Sequence, residues 1–85
     1  MEKKVVITNP TGLHARPTAI LVQKASSFPC SVSIVKEGKK ANAKSIMNIM
    51  ALGVKQHDEV NVVTEGDQEA EALAAIVELL ENLKD

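Results

Sequence analysis

The stretch SVSIVKEGKKANA, residues 31–43, decides the fold. Residues 31–37 predict a strand that turns Val32 and Ile34 inward. Gly38 suits a tight turn, and residues 40–43 predict a second, shorter strand. Two strands joined by so short a connection form an antiparallel hairpin. We therefore expect the chain to contain an antiparallel sheet.

The segments after this hairpin predict a short helix, a strand and a long helix. Ser45 suits the N-cap of a helix over 46–52, and Gly53 suits its end. Residues 59–65 predict a strand, and a long helix opens after the glycine and aspartate at 66–67. The apolar residues that this strand and helix turn inward are Val60, Val62, Leu73, Ile76, Val77, Leu80 and Leu83.

The segments before the hairpin predict a strand, a loop and a helix. Residues 3–8 predict the strand, and residues 9–12 (NPTG) have the composition of a loop. The helix covers 15–28 with His14 at its N-cap, because Pro17 is tolerated only in the first turn. The inward residues of the strand and helix are Val5, Ile7, Thr18, Leu21, Val22, Ala25 and Phe28.

These elements follow the order β-α-β-β-α-β-α. Such a mixture with a hairpin inside predicts an α+β fold, a four-stranded antiparallel sheet with three helices on one face. A chain of 85 residues has room for one domain, which we expect to cover residues 1–85.

Composition and charge narrow the function. Apolar residues make up 45 % of the chain, enough for a core, and the formal net charge is only −1. That balance indicates neither a nucleic-acid partner nor a charged membrane surface. A single cysteine, no signal peptide and no apolar run of membrane-spanning length together predict a cytoplasmic protein.

The motif GLHARP, residues 12–17, places a histidine at the mouth of a helix. Helix mouths offer unpaired backbone N–H groups and the positive end of the dipole, which attract anions. Arg16 adds donors that match phosphate oxygens, and imidazole supplies a nucleophilic nitrogen around neutral pH. The set suits a phosphorylated His14. These residues alone are also compatible with a second interpretation, in which His14 only caps the helix and Arg16 has no related role.

Ser45 and the residues after it form a second point of interest. As an N-cap, Ser45 needs no further role, although a phosphate there would lie favourably at a helix N-terminus. The short helix carries more apolar residues than it can bury, and Ile20 points away from the buried stripe of the first helix. Exposed apolar clusters mark partner surfaces; the alternative is a deeply embedded helix. The excess consists of Ile46, Met47, Ile49, Met50 and Leu52.

Other chemistries find no support in the sequence. No residues have metal-ligand spacing, and neither a Ser-His-Asp motif nor a glycine-rich phosphate loop is present. We expect no metal and no cofactor. His57, the only other histidine, is expected to be a surface turn residue.

The chain resembles the histidine-containing phosphocarrier (HPr) family of the bacterial phosphoenolpyruvate-dependent sugar phosphotransferase system. The likeness runs from about residue 5 to residue 83 and implies the fold of that family, an open-faced β-sandwich. The motifs that carry it are GLHARP at 12–17, LVQKAS at 21–26, NAKSIM at 42–47, LGV at 52–54 and the EG…EAL pattern at 65–73.

The resemblance implies a phosphoryl carrier rather than an enzyme. His14 matches the histidine phosphorylated on Nδ1, Arg16 the arginine that shapes the site, and Ser45 the target of an ATP-dependent kinase. The implied donor is phosphorylated enzyme I, and the acceptors are the IIA components of sugar permeases. An HPr serine kinase and a transcriptional regulator are further implied partners.

A carrier must show the same group to every partner, so we expect one shared docking surface on a monomer. Its expected members are Ile20, Met47 and Met50, with Gln23 near the rim. The alternative function is a purely regulatory, catabolite-repression module that acts through Ser45. The related regulatory branch, Crh, carries glutamine in place of this histidine, so the histidine argues against that alternative.

Four residues depart from the family pattern. Thr18 stands where alanine is usual and is expected to loosen the packing below the site. Asn48 replaces the glycine of KSIMG, which puts kinase recognition in question. His57 replaces a turn glycine and is expected at positive φ. Gln68 replaces an aspartate, which leaves Asp67 as the expected cap of the last helix.

Overall fold

The computed structural model describes residues 1–83, which form four strands and three helices. The order along the chain is β-α-β-β-α-β-α, as predicted. The elements are β1 (Glu2–Val6), α1 (Ala15–Ser26), β2 (Ser31–Lys36), β3 (Lys39–Asn42), α2 (Ile46–Leu52), β4 (Glu59–Glu65) and α3 (Glu69–Glu81).

The four strands form one antiparallel sheet in the order β1-β4-β2-β3. Val60 of β4 faces Val5 of β1, and Ile34 of β2 lies between Val62 of β4 and Ala41 of β3. These side chains are buried, whereas the alternate residues of the central strand β4 are exposed or half-buried. The three helices therefore cover one face, and the predicted open-faced sandwich is confirmed.

The hairpin that decides the fold turns through two residues. Glu37 and Gly38 have φ angles of 51° and 79°, and positive φ at both central residues is the pattern of a type I′ turn. Its twist matches that of the flanking strands. β3 consequently begins at Lys39, one residue earlier than the sequence predicts.

The core is aliphatic and lies between the sheet and the helices. The predicted inward residues of β1, β2 and β4 are all buried, and Phe28, the only aromatic residue, is only partly buried. Six of the apolar-stripe residues predicted for α1 and α3 are buried: Thr18, Leu21, Ala25, Ile76, Val77 and Leu80. Ala72 joins them without having been predicted.

The prediction that Asp67 caps the last helix is wrong. α3 begins at Glu69, and its N-cap is Gln68, which lies in the left-handed region at φ 65° and makes no side-chain cap bond. Asp67 lies one residue too early to cap it. Instead the carboxylate of Glu69 accepts a hydrogen bond from the N–H of Gly66 at 3.3 Å. That bond holds the pKa of the Glu69 carboxyl below its usual range.

Among residues 1–83, no helix is both long and apolar enough to cross a membrane.

Candidate functional site

His14 lies at the N-cap of α1 with an extended backbone at φ −85° and ψ −167°. Its side chain is exposed and makes no cap hydrogen bond, while its carbonyl accepts the first helical bond from the N–H of Thr18 at 2.9 Å. Pro17 sits in the first turn, where it has no N–H to lose. The predicted start of the helix is confirmed, and the imidazole remains available at the surface.

The mouth of α1 is electrostatically suited to an anion. The N–H groups of Ala15 and Arg16 open the helix and have no intrahelical acceptor, and its first turn contains no acidic residue. The Arg16 side chain is exposed and takes part in neither of the ion pairs found within residues 1–83. An incoming phosphoryl group would therefore meet a free guanidinium beside the positive end of a helix.

The loop before His14 docks on the backbone that follows α2. The N–H of Leu13 donates to the carbonyl of Val54 at 3.1 Å. Gly12, at φ 62°, lies so close that a Cβ there would fall 2.5 Å from the Val54 oxygen and 2.7 Å from the Cα of Lys55. No side chain fits this approach, so the glycine of GLHARP lets the loop settle against 54–55.

A lysine and an aspartate hold the supporting turn in place. Lys36 Nζ lies 2.8 Å from a carboxylate oxygen of Asp58 and donates to the carbonyl of Gly53 at 2.9 Å. The N–H of Lys55 donates to the same carboxylate at 2.8 Å. The hydrogen bond from Lys36, and then that from the Lys55 N–H, hold the pKa of Asp58 below its usual value. The turn over 53–58 is thus fixed at its two ends.

The turn also contacts Ile7, the residue that follows β1. The N–H of Ile7 donates to the Asp58 carbonyl at 2.9 Å, and the N–H of His57 donates back to the Ile7 carbonyl at 2.6 Å. His57 is an exposed turn residue at φ 74°, which confirms both expectations for it. The loop that carries His14 is therefore attached to this turn through both Ile7 and Leu13.

Thr18 fills a buried position below the site, and its hydroxyl has a hydrogen-bond partner there. Its side chain is fully buried, and its hydroxyl donates to the carbonyl of Leu13 at 2.9 Å. The sequence predicts looser packing from the added hydroxyl, but the Leu13 carbonyl about one turn back accepts a hydrogen bond from it. This bond joins the first turn of α1 to the residue before His14.

Ser45 caps α2, and Gly53 ends it in the left-handed region, as the sequence predicts. The Ser45 hydroxyl accepts from the backbone N–H of Asn48 at 3.3 Å and from its side-chain amide at 3.2 Å. Asn48 therefore adds a second donor to this hydroxyl, which a glycine at 48 would not supply.

The second helix is not deeply embedded. Only Ile49 is buried, Leu52 is half-buried, and Met47 is 81 % exposed, the most open large apolar residue on the helices. α1 and α2 contact each other, so the exposed apolar side chains of both lie on neighbouring elements. We define the apolar patch as Ile20, Ile46, Met47 and Met50, which are 41–81 % exposed.

The structure adds one residue to the apolar patch and places Gln23 beside one of its members. Ile46 is 44 % exposed and belongs to the patch; its place in the apolar excess of α2 was the signal for it. Gln23 is exposed, and together with Ile20 it lines a groove between α1 and α3. Met47 lines a different groove, against Lys39 and Lys40 of β3.

The fold and this site define a class of protein: a small α+β domain that presents an exposed histidine and an exposed arginine at the amino end of a helix. The family model described as "PTS HPr component phosphorylation site" matches residues 1–82. The chain belongs to the HPr family. Members of this family are phosphocarrier proteins and not enzymes.

Similar proteins include both branches of this family. The HPr-like protein Crh of Halalkalibacterium halodurans is 43 % identical over 81 residues, which are 95 % of this chain and 96 % of Crh. An HPr structure from Thermoanaerobacter tengcongensis is 52 % identical, covers 95 % of this chain and 91 % of its own, and has a TM-score of 0.92. A second structure, described as an HPr dimer from that organism, is 53 % identical over 91 % and 88 % of the chains, with a TM-score of 0.77.

Proposed function

We propose that this chain carries a phosphoryl group on Nδ1 of His14, taken from phosphorylated enzyme I and passed to IIA components of sugar permeases. The observation that carries the proposal is the exposed imidazole at the N-cap of α1, followed two residues later by an exposed arginine that forms no ion pair within residues 1–83. The protein works in the cytoplasm as a monomer, because a carrier needs the same face free for each partner. One similar structure is described as an HPr dimer, so the molar mass of this chain in solution should be measured; we expect that of a monomer.

The chemistry needs little from the carrier beyond position and charge. The lone pair of Nδ1 attacks phosphorus, a nitrogen–phosphorus bond forms, and the bond from phosphorus to the donor breaks. The phosphoryl charge is spread over three oxygens. The guanidinium of Arg16 and the N–H groups that open α1 stabilise this charge. The reverse sequence delivers the group to the acceptor.

A relay assay tests this function. The chain is charged by enzyme I and phosphoenolpyruvate, separated from them, and mixed with a IIA component. We expect the label to leave the chain and to appear on the IIA component. A charged chain that retains its label in the presence of several IIA components would contradict a carrier function.

The alternative is a purely regulatory module that acts through Ser45, and it is favoured by the 43 % identity to an HPr-like protein Crh. The two functions differ in their phosphorylated product. Phosphohistidine is labile in acid, whereas phosphoserine is stable. His14 favours the carrier.

The apolar patch is proposed as the docking surface for donor and acceptors. Burial of apolar area contributes about 25 cal/mol per Å² before the costs of association. Met47→Asp places a charge in the centre of a surface that would be desolvated in the complex. We therefore expect it to weaken binding both to enzyme I and to a IIA component while the domain stays folded. Titration calorimetry with each partner checks this.

Ala74→Asp is the matched control for Met47→Asp, because it adds the same charge at an exposed position of α3. It should bind both partners as the wild type does. Unchanged binding by the Met47 variant would remove this residue from the docking surface.

Ser45 is proposed as a regulatory phosphorylation site. A phosphate there adds about −1.5 to −2 charges next to the patch while interacting favourably with the start of α2. Ser45→Asp is a partial mimic. We expect it to melt at or above the wild-type temperature and to be charged by enzyme I more slowly, since a desolvated charge costs a complex about 2–5 kcal/mol. Melting curves and initial rates of charging measure the two effects; a mimic charged at the wild-type rate would reduce Ser45 to a helix cap.

A further inference from the structure

Asn9 is a buried polar residue in the loop that leads to His14. It is 3 % exposed, and its side-chain amide donates to the carbonyl of Gly12 at 2.8 Å in a buried hydrogen bond. The N–H of Gly12 donates in return to the carbonyl of Asn9 at 3.1 Å. These two bonds close residues 9–12 into a compact turn.

The far side of this turn is fixed independently. Gly12 lies against the backbone of Val54 and Lys55, and Leu13 is held through its N–H by the Val54 carbonyl. The Leu13 carbonyl is held by the hydroxyl of Thr18. The peptide group between residues 12 and 13 is therefore held at both ends, its N–H by the Val54 carbonyl and its carbonyl oxygen by the side-chain amide of Asn9.

We propose that Asn9 is a positioning residue for phosphoryl transfer at His14. By holding the Gly12 carbonyl, its amide sets the direction in which the chain enters the N-cap and so the place of the imidazole above the mouth of α1. In-line transfer depends on such placement, because a shift of about 1 Å in a reacting group can reduce a rate about a hundredfold. The inference rests on the proposed carrier function.

The test compares variants at two buried polar side chains, each of which donates one hydrogen bond to a backbone carbonyl. Asn9→Asp keeps the size of the side chain but replaces the amide donor with an oxygen, and Asn9→Ala removes the side chain if the first variant fails to fold. Thr64→Val is the control. Thr64 is fully buried, its hydroxyl donates to the Glu69 carbonyl at 2.8 Å, and it lies near the opposite end of β4 from the turn that supports the loop.

The readouts are thermal unfolding, kcat and KM for charging by enzyme I, and the NMR signals of the His14 ring. For both Asn9 variants we expect kcat to fall by about tenfold with KM nearly unchanged, together with a shift of the ring signals. Thr64→Val should lose stability and keep the wild-type kcat and ring signals. Asn9 variants that behave like Thr64→Val, with lower stability and wild-type kcat, would overturn the inference.

Failure of the proposed function is recognised separately. A wild-type chain that accepts no phosphoryl group would contradict the function. The ring signals would then decide the inference alone, with an unchanged His14 spectrum in the Asn9 variants counting against it.

Discussion

Replacing His14 with alanine should give a folded chain that accepts no acid-labile phosphoryl group. The imidazole is exposed and makes no capping bond, so its removal takes no contact from the core. Its loss removes the nucleophile itself, and no other group at the mouth of α1 can replace it. The measurement is phosphoryl incorporation from phosphoenolpyruvate and enzyme I, alongside a melting curve that establishes folding.

His57→Ala is the control for this variant. His57 is also exposed, but it lies in the turn over 53–58, and its structural contact runs through its backbone N–H, which alanine retains. This variant should be charged as the wild type is. If the His14 variant still gained one acid-labile group, or if the His57 variant lost it, the acceptor would have been assigned to the wrong residue.

Replacing Arg16 with alanine should slow transfer by about a hundredfold or more without unfolding the domain. The guanidinium is exposed and makes no ion pair within residues 1–83, so the fold does not depend on it. Removal of a preorganised electrostatic stabiliser typically costs a rate about 10²–10³-fold. Rapid-quench measurements of transfer from enzyme I, and of the reverse transfer, would show the loss in both directions.

Two further variants separate geometry from charge. Arg16→Lys keeps the charge but loses the planar fork of donors, so its rates should lie between those of the wild type and the alanine variant. Lys24→Ala removes an exposed cation from the last turn of the same helix and should leave transfer unchanged. Wild-type rates for Arg16→Ala in both directions would exclude this side chain from the mechanism.

The sequence predicts an element best where its ends carry their own chemical signals. α2 runs from Ile46 to Leu52 as expected, because Ser45 is a strong N-cap and Gly53 readily takes the left-handed conformation. The start of α3 differs from the predicted one because Gln68 has no side chain typical of a cap. The carboxylate of Glu69 instead accepts from the N–H of Gly66 at the amino end of the helix. Local sequence does not show which of several acidic residues will accept a hydrogen bond from a backbone N–H before the helix.

Within the site, the sequence predicts the residues at the helix mouth but not what holds them. His14 and Arg16 stand in one motif next to a proline that fixes the helix start. The close approach of Gly12 to Val54 joins segments more than forty positions apart, and only the folded chain brings them together. The partner of Thr18 is likewise not evident from the sequence. Without the Leu13 carbonyl that accepts from it, its hydroxyl would be an unpaired polar group in the core.

The sequence also does not predict which apolar residues of α2 are exposed. An excess of apolar residues on a helix of seven residues implied that some face water, yet it could not decide which. Ile49 is buried and Met47 is open because β3 and α1 pack against particular sides of α2. Which side chains are buried depends on tertiary packing, and the periodicity of so short a helix does not predict it.

The central claim is that the wild-type chain becomes phosphorylated on His14. Its most direct test is intact mass after incubation with enzyme I and phosphoenolpyruvate, repeated after mild acid treatment, with the modified residue located by fragmentation. We expect the mass of one phosphoryl group, located on His14 and lost in acid. No gain in mass, a gain that survives acid, or a group located on any other residue would contradict the claim.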